Sequence, residues 1–382
     1  MDSSAEARGQ RRRLAAAIAE RALLEATELV AISSPSGDAE AAERAVAAML
    51  PMLPAAAAVE RIPCSSPDHA PDLLARLRGS GAARIVLVGH LDTVVAHERH
   101  RAASADGNRL YGSGTVDMKG GDALALGVFR ALADRAGSFA EVALLLVNDE
   151  EFRAPPFAHG PRFAGFDACL CFVGGERLGD GSEALVVKRK AAAAIRVEAD
   201  GVAAHSGANP DHGRSALLAL AAAAQRLAAL HDPSGPESLT VVPTMIDAGE
   251  ALNAVPARGR LTVDMRADRE EAFAAVIAAV PNDIDGVGLA VERLRLWPGM
   301  DAREVAARVI ARAAAAVGRP IAATSRGGAS DASNIAPHVP LAIDGLGPLG
   351  GFAHSPHEHL LIDSLAPRAE VALAVVDALL DA

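Results

Sequence analysis

Residues 83–95, "ARIVLVGHLDTVV", open on a short aliphatic run, Ile85 to Val88, and close on two polar side chains, His90 and Asp92. An apolar run of this length without polar alternation reads as a strand buried on both faces, the kind found in parallel sheets. The neighbouring segments agree. "MKGGDALALGVFRALADRA" (118–136) has the spacing of a helix, and "AEVALLLVNDE" (140–150) and "DACLCFVG" (167–174) repeat the buried-strand pattern. Strand, helix and strand in that order make a βαβ unit and predict an α/β layered domain.

The texture changes near residue 185. "ALVVKRKAAAAIRVEADG" has the period of exposed antiparallel strands, and "SALLALAAAAQRLAALH" is helical. "SLTVVPTMIDAG" and "RGRLTVDMRAD" return to strand, followed by the helix "REEAFAAVIAAV" and a strand near 288–296. This β-α-β-β-α-β order is the ferredoxin-like arrangement. "WPGM" (297–300) ends it, and helix and strand alternate again to the C-terminus. The expected organisation is an α/β domain, residues 1–184 and 298–382, interrupted by an α+β insert, residues 185–297.

Composition excludes several classes. The 382 residues are 51% hydrophobic and 22% charged, enough apolar material for one large or two medium cores and too much for a disordered chain. A formal charge of -11 argues against a nucleic-acid partner, whose phosphates need clustered Lys and Arg. The basic, alanine-rich N-terminus resembles a signal peptide superficially. Glu20, Arg21, Glu25 and Glu28 interrupt its apolar windows, so it reads as an amphipathic helix ending near the Pro35–Gly37 turn. No segment approaches 18 uncharged apolar residues, and no membrane span is expected. Cys64, Cys169 and Cys171 are odd in number and lack CxxC spacing, which points to a reducing, cytoplasmic setting.

The polar residues gather at strand ends. His90 and Asp92 are two positions apart and share a face of an extended chain, so the carboxylate is placed to hold the second ring nitrogen of a ligating imidazole. "LYGSGTVDMKGG" puts Asp117 in a glycine-rich turn before a helix, "NDEE" puts Glu150 and Glu151 past the next strand, and "FVGGER" adds Glu176. Each has an ordinary alternative. An HxD pair is common, "GSGTVD" is also a degenerate nucleotide loop, and "DEE" is compatible with a solvated turn. Joint placement at successive strand ends, where ligands converge in open α/β sheets, favours one metal-binding rim.

With these motifs, and with "HSG", "NAVPARGRLTVDMR", "GGASDA" and "FAHSPHEHL", the chain resembles the co-catalytic zinc hydrolases. That family includes acetylornithine deacetylase, succinyl-diaminopimelate desuccinylase, aminoacylase and glutamate carboxypeptidase. The resemblance runs from about residue 25 to the C-terminus. It implies a zinc-peptidase-like α/β catalytic domain with a ferredoxin-like lid and dimerisation insert. It also implies two Zn2+ per chain bridged by Asp117, with Co2+ or Mn2+ as substitutes. His90 and Glu176 would complete one ion's ligands, and Glu151 and His354 the other's. Asp92 would orient His90, and Glu150 would be the general base.

On the insert, the resemblance implies that His205 donates to an oxyanion in the other subunit of a homodimer. Asn253 would contact the substrate, Arg266 would clamp its carboxylate, and Gly327 and Gly328 would leave backbone amides open to it. Arg266 alternates with Asp264 on a strand, so an exposed ion pair is its alternative reading. His357 and His359 are expected to lie outside the ligand set. The implied activity is metal-dependent hydrolysis of an N-acyl amino acid or a C-terminal, glutamate-like residue. The rivals are a non-catalytic relative that binds a carboxylated ligand and a nucleotide-dependent oxidoreductase. "FRAPP" (152–156) departs from the small residue and glycine usual in relatives, and is expected to crowd the loop beside the metals.

Overall fold

The computed structural model describes residues 3–381. Its largest sheet has six strands in the order Ala58–Ile62, Asp72–Arg78, Glu141–Val147, Arg84–His90, Ala168–Cys171 and Leu341–Ile343. The last four run parallel to their neighbours, and the first two continue the sheet antiparallel. Every residue of Glu141–Val147 is buried, which is why its sequence shows no alternation. One face carries Leu87, Leu144 and Leu170 into a core shared with Phe129 and Leu373; the other carries Val86, Leu145 and Cys169 towards Phe163 and Ile335.

The helix predicted between the first two strands is Gly120–Ala133, with most of its side chains buried. Its first turn lies against the end of a strand. A Cβ at Gly121 would stand 1.9 Å from the carbonyl oxygen of Phe172, so glycine permits the approach. The carboxyl ends of Arg84–His90, Glu141–Val147 and Ala168–Cys171 therefore share one edge with the loop that enters this helix, the position where parallel sheets build their sites.

Residues of the expected insert form their own antiparallel sheet. Its order is Thr240–Ala248, Arg258–Ala267, Ala191–Asp200, Val287–Trp297 and Asp283–Ile284. The helices Ala216–Ala228 and Ala272–Ala278 fall where the β-α-β-β-α-β order puts them, and Ile195, Leu220, Val263, Met265 and Phe273 make a separate core. The chain after residue 185 is not one strand. It divides at Lys190: Glu183–Arg189 runs parallel to Ile321–Arg326 in a small third sheet, and Ala191–Asp200 enters the insert sheet. Among the described residues no helix is long and apolar enough to cross a membrane.

Candidate active site

His90 ends its strand with the ring fully buried. Its Nδ1 lies 3.1 Å from the carbonyl oxygen of Asp92, and because a carbonyl only accepts, Nδ1 carries the proton and Nε2 faces Asp117 Oδ1 at 3.3 Å. The Asp92 carboxylate does more than the sequence suggested. It lies 3.4 Å from His90 Nδ1, and its two oxygens also accept from the backbone N–H groups of Glu150 (3.2 Å) and Glu151 (3.1 Å). One buried carboxylate thus ties two strand ends together.

Asp117 faces both imidazoles, with His354 Nε2 3.2 Å from its Oδ2 and equally far from Glu151 Oε2. His354 comes from the C-terminal part of the chain and holds φ +64°, a left-handed backbone that costs a non-glycine residue energy and tends to persist at functional sites. Ligand atoms of His90, Asp117 and Glu151 lie within 4.8 Å of one another. Glu150 Oε2 stands 4.0 Å from His90 Nε2, and its carboxylate makes no hydrogen bond among the described residues.

Charge in this cluster is unbalanced. Burial pushes the Glu150 carboxyl well above its ordinary range, and burial raises Glu151 too, although His354 opposes it. Burial would likewise raise Asp117, but hydrogen bonds from His354 and His90 hold it below the usual carboxylate range. Burial alone would push the His90 imidazole down, and the carboxylates of Asp117, Asp92 and Glu150 outweigh it. His354 is pushed up to about 10 by Asp117 and Glu151. The group demands positive charge, and Glu151 Oε1 is buried without a hydrogen-bond partner. Imidazole nitrogen and carboxylate oxygen are a zinc-type donor set, so Asp117, Glu151 and His354 fit a divalent cation.

Asp117, Glu150, Glu151 and His354 line a cavity of about 280 Å³. Arg189, Arg266, Arg295 and Arg326 line the same cavity, together with Gly328, Val173 and Trp297. Arg266 pairs with Asp264 through two 3.0 Å bonds and also lines the cavity. Nothing lies within 4 Å of a Cβ built at Gly327 or Gly328, which leaves that backbone open.

Other expected site residues do not line the cavity. His90 and Asp92 are tied to residues that do, His90 Nε2 at 3.3 Å from Asp117 Oδ1 and Asp92 accepting from the N–H groups of Glu150 and Glu151. Glu176 accepts from Arg326 Nε at 2.7 Å. His205 and Asn253 belong to the insert and are also absent from the lining. They sit side by side, with the N–H of Ser206 donating to the carbonyl of Asn253 at 2.9 Å. His205 Nδ1 accepts from the N–H groups of Gly207 and Ala208, both at 3.1 Å, so its Nε2 is the protonated nitrogen. His357 and His359 do not line the cavity; His359 packs beside Tyr111 and Phe352.

Sequence reasoning missed Glu358. It is buried, and its oxygens accept from the backbone N–H groups of Gly114 (3.1 Å), Val116 (3.0 Å) and Asp117 (3.1 Å), fixing the loop that presents Asp117. An acidic residue inside "HSPHEHL" was the available signal, and three histidines obscured it. None of the "FRAPP" residues, expected to crowd the loop beside the metals, lines the cavity. Phe152 is exposed, and Arg153 turns away into the interior.

Comparison with known proteins agrees with this architecture. Carboxypeptidase G2 of Pseudomonas sp. (strain RS-16) is 27% identical over 312 residues, covering 78% of this chain and 74% of that protein. Succinyl-diaminopimelate desuccinylase of Rhodospirillum rubrum is 31% identical over 350 residues, covering 80% and 84%. Among solved structures, the M20 family metallo-carboxypeptidase Sso-CP2 from Sulfolobus solfataricus superposes with a TM-score of 0.74 at 14% identity, covering 94% of this chain and 99% of its own. The model of Peptidase family M20/M25/M40 matches residues 86–378. A buried carboxylate–imidazole cluster that calls for a cation, on this fold and with these relatives, places the chain in Peptidase family M20/M25/M40, a family of metal-dependent hydrolases.

Proposed function

We propose that the chain hydrolyses the amide bond of an N-acyl amino acid or a short peptide that carries a free carboxylate, using zinc. The observation that carries this reading is one cavity lined both by the carboxylate–imidazole cluster and by four arginines. Bound zinc supplies a Lewis acid for the attacking water and the scissile carbonyl. Asp117, Glu151 and His354 hold it. Glu150, with its uncommitted carboxylate, takes the proton of the water and delivers it to the departing amine. Asp92 fixes the His90 ring and the backbone of Glu150 and Glu151. Arg266 and the open backbone at Gly328 receive the substrate carboxylate, where a guanidinium fork gives directed recognition. A glutamate-like leaving residue, with two carboxylates, suits the four arginines best. The two-zinc stoichiometry that the resemblance implies needs one more ligand beside His90 and Asp117.

A homodimer through the insert, residues 185–297, belongs to the same proposal. Thr240–Ala248 is an edge strand that exposes Val242, Met245 and Ile246, and Leu217 and Leu218 are exposed on the adjacent helix. An apolar edge of this kind favours pairing with a second copy. His205 and Asn253, absent from their own cavity, would then serve the partner's, with His205 Nε2–H donating to the developing oxyanion.

The test is an assay of purified protein, stripped of metal and reloaded with Zn2+, on N-acetyl and N-succinyl amino acids and on peptidyl-glutamates. Metal-dependent release of a free amine is expected. Failure to cleave any of them with metal fully loaded overturns the reading.

A further inference from the structure

The strand Ala168–Cys171 runs parallel to Arg84–His90, with Cys171 opposite Val88, so the residues just past it arrive beside His90. The side chain presented there is Val173, which lines the cavity together with Asp117, Glu150, Glu151 and His354. A valine offers a cation no donor atom. The chain then turns through Gly174 and Gly175, and Glu176 enters a two-residue strand paired with Glu183–Arg189, Glu176 lying opposite Ala184. There its carboxylate accepts from Arg326, which also donates to the Gly175 carbonyl at 3.0 Å. Arg326 lines the cavity, and Glu176, which it holds at 2.7 Å, is not among the lining residues.

We propose that this chain has one complete metal-ligand set, Asp117, Glu151 and His354, and that its second set stops at His90 and Asp117: Val173 occupies the position from which a third ligand would come, and Glu151, whose ligand atom lies within 4.8 Å of theirs, is engaged with His354 at 3.2 Å. The inference rests on the metal-dependent reading above and departs from its two-ion form. Glu176 is a structural partner of Arg326. Glu150 Oε2 stands 4.0 Å from His90 Nε2, and its use as a ligand would remove the base. A cation on the His90 side therefore binds more weakly than one on the His354 side, by about 100-fold or more, since even indirect support of a ligand is worth 10- to 100-fold in affinity.

Metal content decides the matter without any assay of turnover. Full-length protein is dialysed against Zn2+ and counted by elemental analysis, and metal-free protein is titrated with Co2+ while its visible absorption is followed. One tightly held equivalent is expected in the wild type and in Glu176→Gln. Val173→Glu should take a second, with a second step in the Co2+ titration. Two tight equivalents in the wild type, falling to one in Glu176→Gln, would overturn the proposal whether or not Val173→Glu folds. Retention of no metal at all would overturn the metal-dependent reading as well, which separates the two failures.

Discussion

Asp149 and Glu151 are two residues apart in one loop and meet opposite fates. Asp149 is fully buried and fully answered: Ser66 donates to it through its N–H (2.9 Å) and hydroxyl (2.7 Å), and Arg153 donates through Nε at 2.9 Å. The same guanidinium holds Asp331 at 2.6 Å, sits 4.7 Å from the Phe157 ring and 5.1 Å from the Trp297 ring, and its own carbonyl accepts from Trp297 Nε1. Glu151, by contrast, keeps one oxygen buried and unpartnered, and Glu150 makes no side-chain hydrogen bond among the described residues. A carboxylate whose compensation comes from its own chain is structural, and one whose compensation must come from outside belongs to the site.

The largest break of this contrast is Glu150→Gln. Removing the base should lower kcat by about 10²- to 10⁴-fold, while metal content stays unchanged and thermal stability does not fall, because no hydrogen bond is lost. Arg153→Met inverts the pattern. It strands Asp149 and Asp331 as buried, unpaired charges, and should cost about 3–5 kcal/mol of stability in a denaturant titration. Turnover per folded molecule should change far less than in Glu150→Gln. A kcat loss in Arg153→Met that matches Glu150→Gln would show that the two clusters act as one.

Much of this architecture was legible in the sequence, because buried parallel strands announce themselves. Arg84–His90, Glu141–Val147 and Ala168–Cys171 have no polar alternation to confuse with a surface strand. Ala58–Ile62 and Asp72–Arg78 were not recognised, since "AVERI" and "DLLARLR" mix charges into short edge-side strands. His90, Asp117, Glu150, Glu151 and His354 could be picked from motifs at strand and loop ends. The partners that hold them could not. Glu358 reaches back more than 240 residues to the Asp117 loop, and Arg153 spans 178 residues to Asp331. Such pairings depend on the assembled fold, and no local pattern encodes them. Glu176 has the type and position of a ligand, and its hydrogen bond from Arg326, 150 residues away, is equally invisible to any local pattern.

The contrast extends to the cavity's arginines. Arg189 pairs with Asp344 at 2.6 Å, Arg266 with Asp264 and Arg326 with Glu176, whereas Arg295 has no ion pair among the described residues and rests 5.7 Å from the Trp297 ring. Burial and then the nearby Arg266 lower its pKa, so an anion beside it would be welcome. By the same logic that singles out Glu151, Arg295 would add to Arg266 a second cation for a substrate with two carboxylates. Arg295→Gln should raise KM about 10- to 100-fold for substrates with two carboxylates, the loss of one charged hydrogen bond, with kcat nearly unchanged. Substrates with a single carboxylate should be affected less; equal loss on both would assign Arg295 to the general field of the pocket.

The smallest effect is expected between the two clusters. Phe152 separates Glu151 from Arg153 and is 62% exposed, so its ring neither packs in the core nor closes the cavity. Phe152→Ala should leave stability within about 0.5 kcal/mol of the wild type, the range of surface substitutions. The loop's course is set on both sides of this residue, by Asp92 holding the amides of Glu150 and Glu151 and by Asp331 and Asp149 holding Arg153. Its side chain therefore has nothing to position, and kcat should stay within about twofold, too small to register as a lost interaction. A larger fall in kcat would mean that Phe152 meets the substrate or a second subunit, and would move it from the gap between the clusters into the site.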